Sequence, residues 1–122
     1  MKLRSFFKSF SHAFNGIGFA IYSQRNMKIH IVISVFVIGF GFYFGISTSE
    51  WLLLMSAIFL VLVTEVMNTA IEILVDLVTK KKRYRAMLSK DLAAGAVLLS
   101  AFYALIIGMV IFGDKFLCVL KG

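Results

Sequence analysis

The chain of 122 residues contains no proline, a single cysteine and only six acidic residues. Without proline, no imino acid interrupts a helix anywhere along the backbone. The nine glycines are scattered, with no Gly/Ser-rich tract, low-complexity segment or repeat, so a single domain over residues 1–122 is expected. One cysteine, Cys118, excludes an intrachain disulfide, and no His or Cys cluster has structural-zinc spacing; Cys118 reads as a small apolar filler. Polar stretches are scarce as well. A hydrophobic content of 61% and a mean hydropathy of +0.94 lie far above those of a soluble domain this small, and they place the chain in the membrane class.

The N-terminal "MKLRSFFKSFSHAF" is basic but lacks the uninterrupted apolar core and cleavage site of a secretory signal, so it is expected to be retained. Phe6, Phe10, Phe14, Ile17 and Ile21 recur at helical spacing with Lys2, Arg4 and Lys8 among the polar positions. That pattern predicts a surface helix over 1–24, lying in the membrane interface. Three apolar runs follow, at 29–46, 51–78 and 92–113, and each predicts a transmembrane helix. The fold class is therefore all-α integral membrane. The second run is long enough for a helix of ~42 Å at ~1.5 Å per residue, longer than a hydrocarbon core of ~30 Å, so one end must project into water. The third carries Ala96, Ser100, Ala104 and Gly108 at i+4 spacing, a ridge on which another helix could pack closely.

Lysine and arginine concentrate before the first span (Lys2, Arg4, Lys8, Arg25, Lys28) and between the second and third (Lys80, Lys81, Lys82, Arg83, Arg85, Lys90), while residues 47–50 have none. The positive-inside rule then predicts a cytoplasmic N-terminus, a cytoplasmic 79–91 segment and an outer C-terminus, in a multi-pass protein of the inner or plasma membrane. Topology and anionic headgroups account for the net charge of +7, and no reader motif accompanies it, so no nucleic-acid partner is expected.

Within the second run, Glu65, Asn68, Thr69, Glu72 and Asp76 all lie within about 60° of one direction on a helix of 100° per residue. Counting from Trp51 as an outer anchor, Glu65 is ~21 Å and Glu72 ~31 Å along the axis, so this polar stripe opens toward the cytoplasm. A charged side chain near the bilayer centre costs ~2.5 to 3.5 kcal/mol on insertion scales, so the stripe must face protein or a polar cavity. Thr69 and Asp76 also suit ordinary helix contacts or a helix exit. Glu65 and Glu72 together could share a divalent cation, or divide the roles of base and metal ligand. Nucleotide signatures are missing: "GIGFAI" is a bare G-x-G, and no P-loop or protein-kinase loop occurs. A proton or ion conductor is a rival reading, but between Leu52 and Val63 only Ser56 is polar, so the acidic face leads nowhere on the outer side. A non-enzymatic scaffold or regulatory subunit would have no use for Glu65 or Lys90.

The stretch "EVMNTAIEILVDL", with "KDLAAGAV" thirteen residues further on, resembles the small prokaryotic integral-membrane lipid kinases, the diacylglycerol kinase and undecaprenol kinase family. "FFKSFSHAFNGI" is similar to the family's surface helix and "RNMKIH" to its segment leading into the first span. The resemblance implies a homotrimer with active sites between subunits at the cytoplasmic surface, and transfer from ATP to a lipid hydroxyl. It implies that Glu65 is the general base, with Asn68 beside it, and that Glu72 holds Mg2+. It further implies that Lys90 neutralises phosphate charge and Asp91 contacts the nucleotide. Lys82 in the basic loop would face the nucleotide, and Lys8 and His12 would reach it from the surface helix. Where family members usually have a glutamate as second magnesium ligand this chain has Gln24, which offers a carbonyl oxygen without the charge. His30 matches a family position and reads as a structural hydrogen-bonding residue. The Gram-positive-like motifs imply undecaprenol as acceptor, with diacylglycerol as the alternative.

Overall fold

The computed structural model describes residues 2–122, which form four α-helices joined by short turns. They are α1 (Lys2–Ser23), α2 (Arg25–Phe44), α3 (Thr48–Val78) and α4 (Tyr84–Lys121). α2, α3 and α4 are each long and apolar enough to cross a membrane. The main departure from the sequence expectation is α4, whose 38 residues extend the expected 92–113 span at both ends. The charged residues 84–91 depress hydropathy without opposing a helix, because Arg, Ala, Met, Leu and Lys are good helix formers. At the far end, Gly113 costs only about 1 kcal/mol relative to alanine, and no proline follows to stop the helix.

α1 and α2 are separated by one extended residue, Gln24 (φ −106°, ψ 121°). α2 ends in a Schellman motif: Gly45 adopts the left-handed conformation (φ 61°, ψ 52°), its N–H donates to the Phe42 carbonyl at 3.3 Å and the Ile46 N–H to that of Gly41 at 3.2 Å. α3 then starts with a capping box, in which the Glu50 N–H donates to Ser47 Oγ (3.2 Å) and the Ser47 N–H to Glu50 Oε1 (3.0 Å). The two motifs reverse the chain within three residues and make α2 and α3 an antiparallel hairpin.

α3 and α4 form the most extensive helix pair. Near the α2–α3 turn, Ile46, Leu54, Ile111 and Phe112 are buried together, surrounded by Val37, Phe44, Trp51, Ile58 and Ile107. Phe116 meets Phe40 and Phe44 edge-on and Phe112 at a tilt, and Lys115 Nζ reaches Glu50 Oε2 at 3.2 Å. Of the small-residue ridge on α4, Ser100 is buried, Ala104 and Gly108 are half-buried and Ala96 is exposed. An i+4 row rotates by 40° per step, so only its middle stays turned toward α3. A Cβ built on Gly108 would meet nothing within 4 Å, so no close helix approach occurs there within one chain. Cys118 is exposed on the last turns of α4 rather than filling a core.

Candidate active site

The polar stripe turns inward. Glu65, Asn68 and Thr69 are buried in α3, Glu65 at 2% exposure, and Glu72 one turn further is half-buried. Burial follows from the helical period: the same face that carries Leu54, Ala57 and Val61 into the protein in the first half of α3 continues as Glu65, Asn68 and Thr69 in the second. The Thr69 hydroxyl donates to the Glu65 backbone carbonyl at 3.0 Å, so its proton is not available to the carboxylate. The Glu65 carboxylate instead meets α2, with His30 Nε2 3.4 Å from Oε1.

Asn68 and Glu72 form the second pair, Nδ2 to Oε1 at 3.4 Å. The other amide atom, Asn68 Oδ1, is buried without a hydrogen-bond partner, a costly condition for a polar atom and one that a donor on a bound molecule would relieve. The third pair joins helices: Lys90 Nζ lies 2.6 Å from Asp76 Oδ1. Lys90 and Asp91 sit on the first turns of α4, and Lys90 is drawn to Asp76 at the C-terminal end of the stripe. Asp91 is exposed on the same helix.

Other residues expected at the site are not gathered there within one chain. Lys8 and His12 are exposed one turn apart on α1. At 100° per residue they point away from the Phe6, Phe10 and Phe14 stripe, which suits an apolar face in lipid and a basic face toward water. Lys82 is exposed in the turn between α3 and α4. Gln24 is half-buried at the N-cap of α2, and its side chain makes no capping hydrogen bond, which leaves the amide oxygen free for another partner. Among the described residues, no three His, Cys, Asp or Glu side chains converge as a metal cage. A crevice of about 370 Å³ at the α3–α4 turn is lined by residues including Leu74, Val78, Thr79, Arg83 and Ser89. None of Glu65, Asn68, Thr69, Glu72 and Asp76 lines this crevice.

Sequence reasoning missed the contact between His30 and Glu65. A signal for it existed: in an antiparallel hairpin, residues at similar distances from the turn meet, and His30 and Glu65 lie at comparable distances on either side of Gly45–Ser47.

Comparison with known proteins adds to this geometry. Residues 11–112 match the family model for prokaryotic diacylglycerol kinase. The chain is 40% identical over 114 residues to an undecaprenol kinase of Bacillus subtilis, covering 93% of each chain. It is 38% identical over 101 residues to a diacylglycerol kinase of Synechocystis sp., covering 82% of this chain and 58% of that protein.

Proposed function

This chain belongs to the prokaryotic diacylglycerol kinase family, and from that premise we propose that it transfers the γ-phosphate of ATP to the hydroxyl of undecaprenol at the cytoplasmic face of the membrane. It is a lipid kinase, and membership of a kinase family implies the use of ATP. Undecaprenol is favoured over diacylglycerol because the undecaprenol kinase relative aligns over nearly its whole length, whereas the diacylglycerol kinase relative aligns over 58%.

The observation that carries the reading is the buried carboxylate of Glu65 on one helical face with Asn68 and the half-buried Glu72. Phosphoryl transfer depends on in-line positioning, charge neutralisation and a proton acceptor rather than on covalent help from the protein. In this reading Glu65 accepts the proton of the acceptor hydroxyl, and Asn68 Oδ1 receives a hydrogen bond from a bound group. Lys90, held near the stripe by Asp76, neutralises phosphate charge, and Asp91 contacts the nucleotide. Lys8, His12 and Lys82 complete the nucleotide's surroundings from α1 and the basic turn.

Mg2+ is commonly held by one or two carboxylates, with phosphates and water completing its shell. Glu72, backed by Asn68, would be the carboxylate of such a site, and Gln24, which makes no capping hydrogen bond, would add an amide oxygen where subunits meet. There the ion would neutralise the phosphate oxygens.

The dispersal of Lys8, His12 and Asp91 around one chain supports a homotrimer with sites completed between subunits. The many large apolar side chains left exposed on α2, α3 and α4 are consistent with both lipid and subunit contacts. The lysine and arginine distribution supports a cytoplasmic N-terminus in the inner or plasma membrane.

The test is ATP-dependent phosphorylation by purified protein with undecaprenol and diacylglycerol offered side by side, and with Glu65→Ala as control. Undecaprenol should be labelled preferentially and the variant should be inactive. Labelling of neither lipid would overturn the reading, and a fully active variant would remove Glu65 from its role.

A further inference from the structure

The reaction leaves one buried contact unused. The carboxylate of Glu65 is 3% exposed and His30, on the second turn of α2, presents Nε2 at 3.4 Å from Oε1. Thr69 is committed to the backbone carbonyl of Glu65, and the nearest carboxylate on the stripe, Glu72, is engaged by Asn68. Among the described residues, His30 is the only side chain with a basic nitrogen within 4 Å of this carboxylate. The imidazole itself is 23% exposed.

A carboxylate has two oxygens that can each accept, and free rotation of a glutamate side chain would present either one to a substrate at random. A donor fixed on a neighbouring helix removes that freedom. We propose that His30 is a positioning residue for the reaction. Its Nε2–H holds Oε1 of Glu65, so that Oε2 alone is aimed at the acceptor alcohol. The inference rests on Glu65 being the proton acceptor.

In the step so organised, the O–H bond of the alcohol breaks and its proton passes to Oε2. The alcohol oxygen forms a bond to the γ-phosphorus, and the bond from that phosphorus to the β,γ-bridging oxygen breaks, releasing ADP. His30 neither gains nor loses a proton and touches no substrate. At 3.4 Å the two groups are in close approach without a formed hydrogen bond, and in the proposed role the contact tightens when substrate is bound, as catalytic contacts commonly do.

The test uses the full chain in lipid-containing micelles with ATP and the acceptor lipid. It compares His30→Gln, whose amide nitrogen can replace Nε2 as donor, with His30→Leu and His30→Phe, which have none. Glu65→Gln serves as reference. If His30 positions the base, Leu and Phe lower kcat by roughly tenfold or more, since small misplacements cost up to about a hundredfold. The KM for ATP stays within about twofold, and Gln restores most of kcat. Two donorless variants of different shape keep the comparison open should one of them fail to fold. Equal kcat in Leu, Phe and wild type would overturn the proposal, as would equal impairment of Gln, Leu and Phe. Full activity of Glu65→Gln would instead remove the base assignment on which it rests.

Discussion

Lys90 on α4 and Asp76 on α3 lie 2.6 Å apart, Nζ to Oδ1, across a turn of only five residues. The pair docks the start of α4 on the exit of the polar stripe, and so sets where the lysine's charge is held.

Both side chains are partly exposed, and such a pair contributes only about 0 to 1 kcal/mol to stability. Asp76→Asn is therefore expected to leave the unfolding temperature in detergent nearly unchanged while raising the KM for ATP several-fold, because Lys90 is no longer held. Lys90→Ala should be more damaging, with activity reduced by at least about tenfold, since it removes the charge itself. Steady-state kinetics on both variants, alongside thermal unfolding, checks the ordering; unaltered kinetics in Asp76→Asn would mean that the pair does not position Lys90.

Gln24 is expected to make the magnesium requirement higher than a glutamate would. Gln24→Glu restores a negative oxygen ligand, which hard Mg2+ prefers. Titrating activity against Mg2+ should show half-maximal rate at a lower concentration in this variant. An unchanged titration would place Gln24 away from the metal.

At the opposite end of the hairpin, a Cβ on Gly41 would stand 2.6 Å from Trp51 Cη2 and 2.9 Å from Cζ2. Gly41→Ala must push the indole aside or splay α2 from α3, an overpacking cost of typically 1 to 3 kcal/mol. A lowered unfolding temperature is expected, with kcat/KM changed little at moderate temperature because the polar stripe lies at the other end of α3. Stability equal to wild type would show that Trp51 relaxes freely.

Cys118 is the only cysteine and is exposed near the end of α4. The proposed topology, three crossings from a cytoplasmic N-terminus, would put this thiol on the outer side. A membrane-impermeant maleimide should label it in intact cells or right-side-out vesicles and fail to do so from the cytoplasmic side. The reverse pattern would invert the topology.

The three crossings were legible because uninterrupted apolar runs announce themselves by length alone, and the stripe because a period of 3.6 brings Glu65, Asn68, Thr69, Glu72 and Asp76 to one side. The start of α4 was not legible. Residues 84–91 are charged, and hydropathy cannot distinguish a polar helical extension from a loop. Lys90 consequently sits on a helix where a loop position was expected. The contact of His30 with Glu65 depends on how two helices are rotated about their own axes, which no property of either helix alone specifies.

The linear order of residues determined the membrane class, the three candidate spans and the acidic face, because these follow from local hydropathy and helical period. The tertiary structure decided which side chains meet that face. The Schellman turn at Gly45 and the capping box at Ser47 set the antiparallel alignment of α2 with α3, and so bring the imidazole of His30 to the level of the buried carboxylate. The short connection from α3 to α4 does the same for Lys90 and Asp76. Such contacts arise from alignments between helices, and those are fixed only when the helices pack.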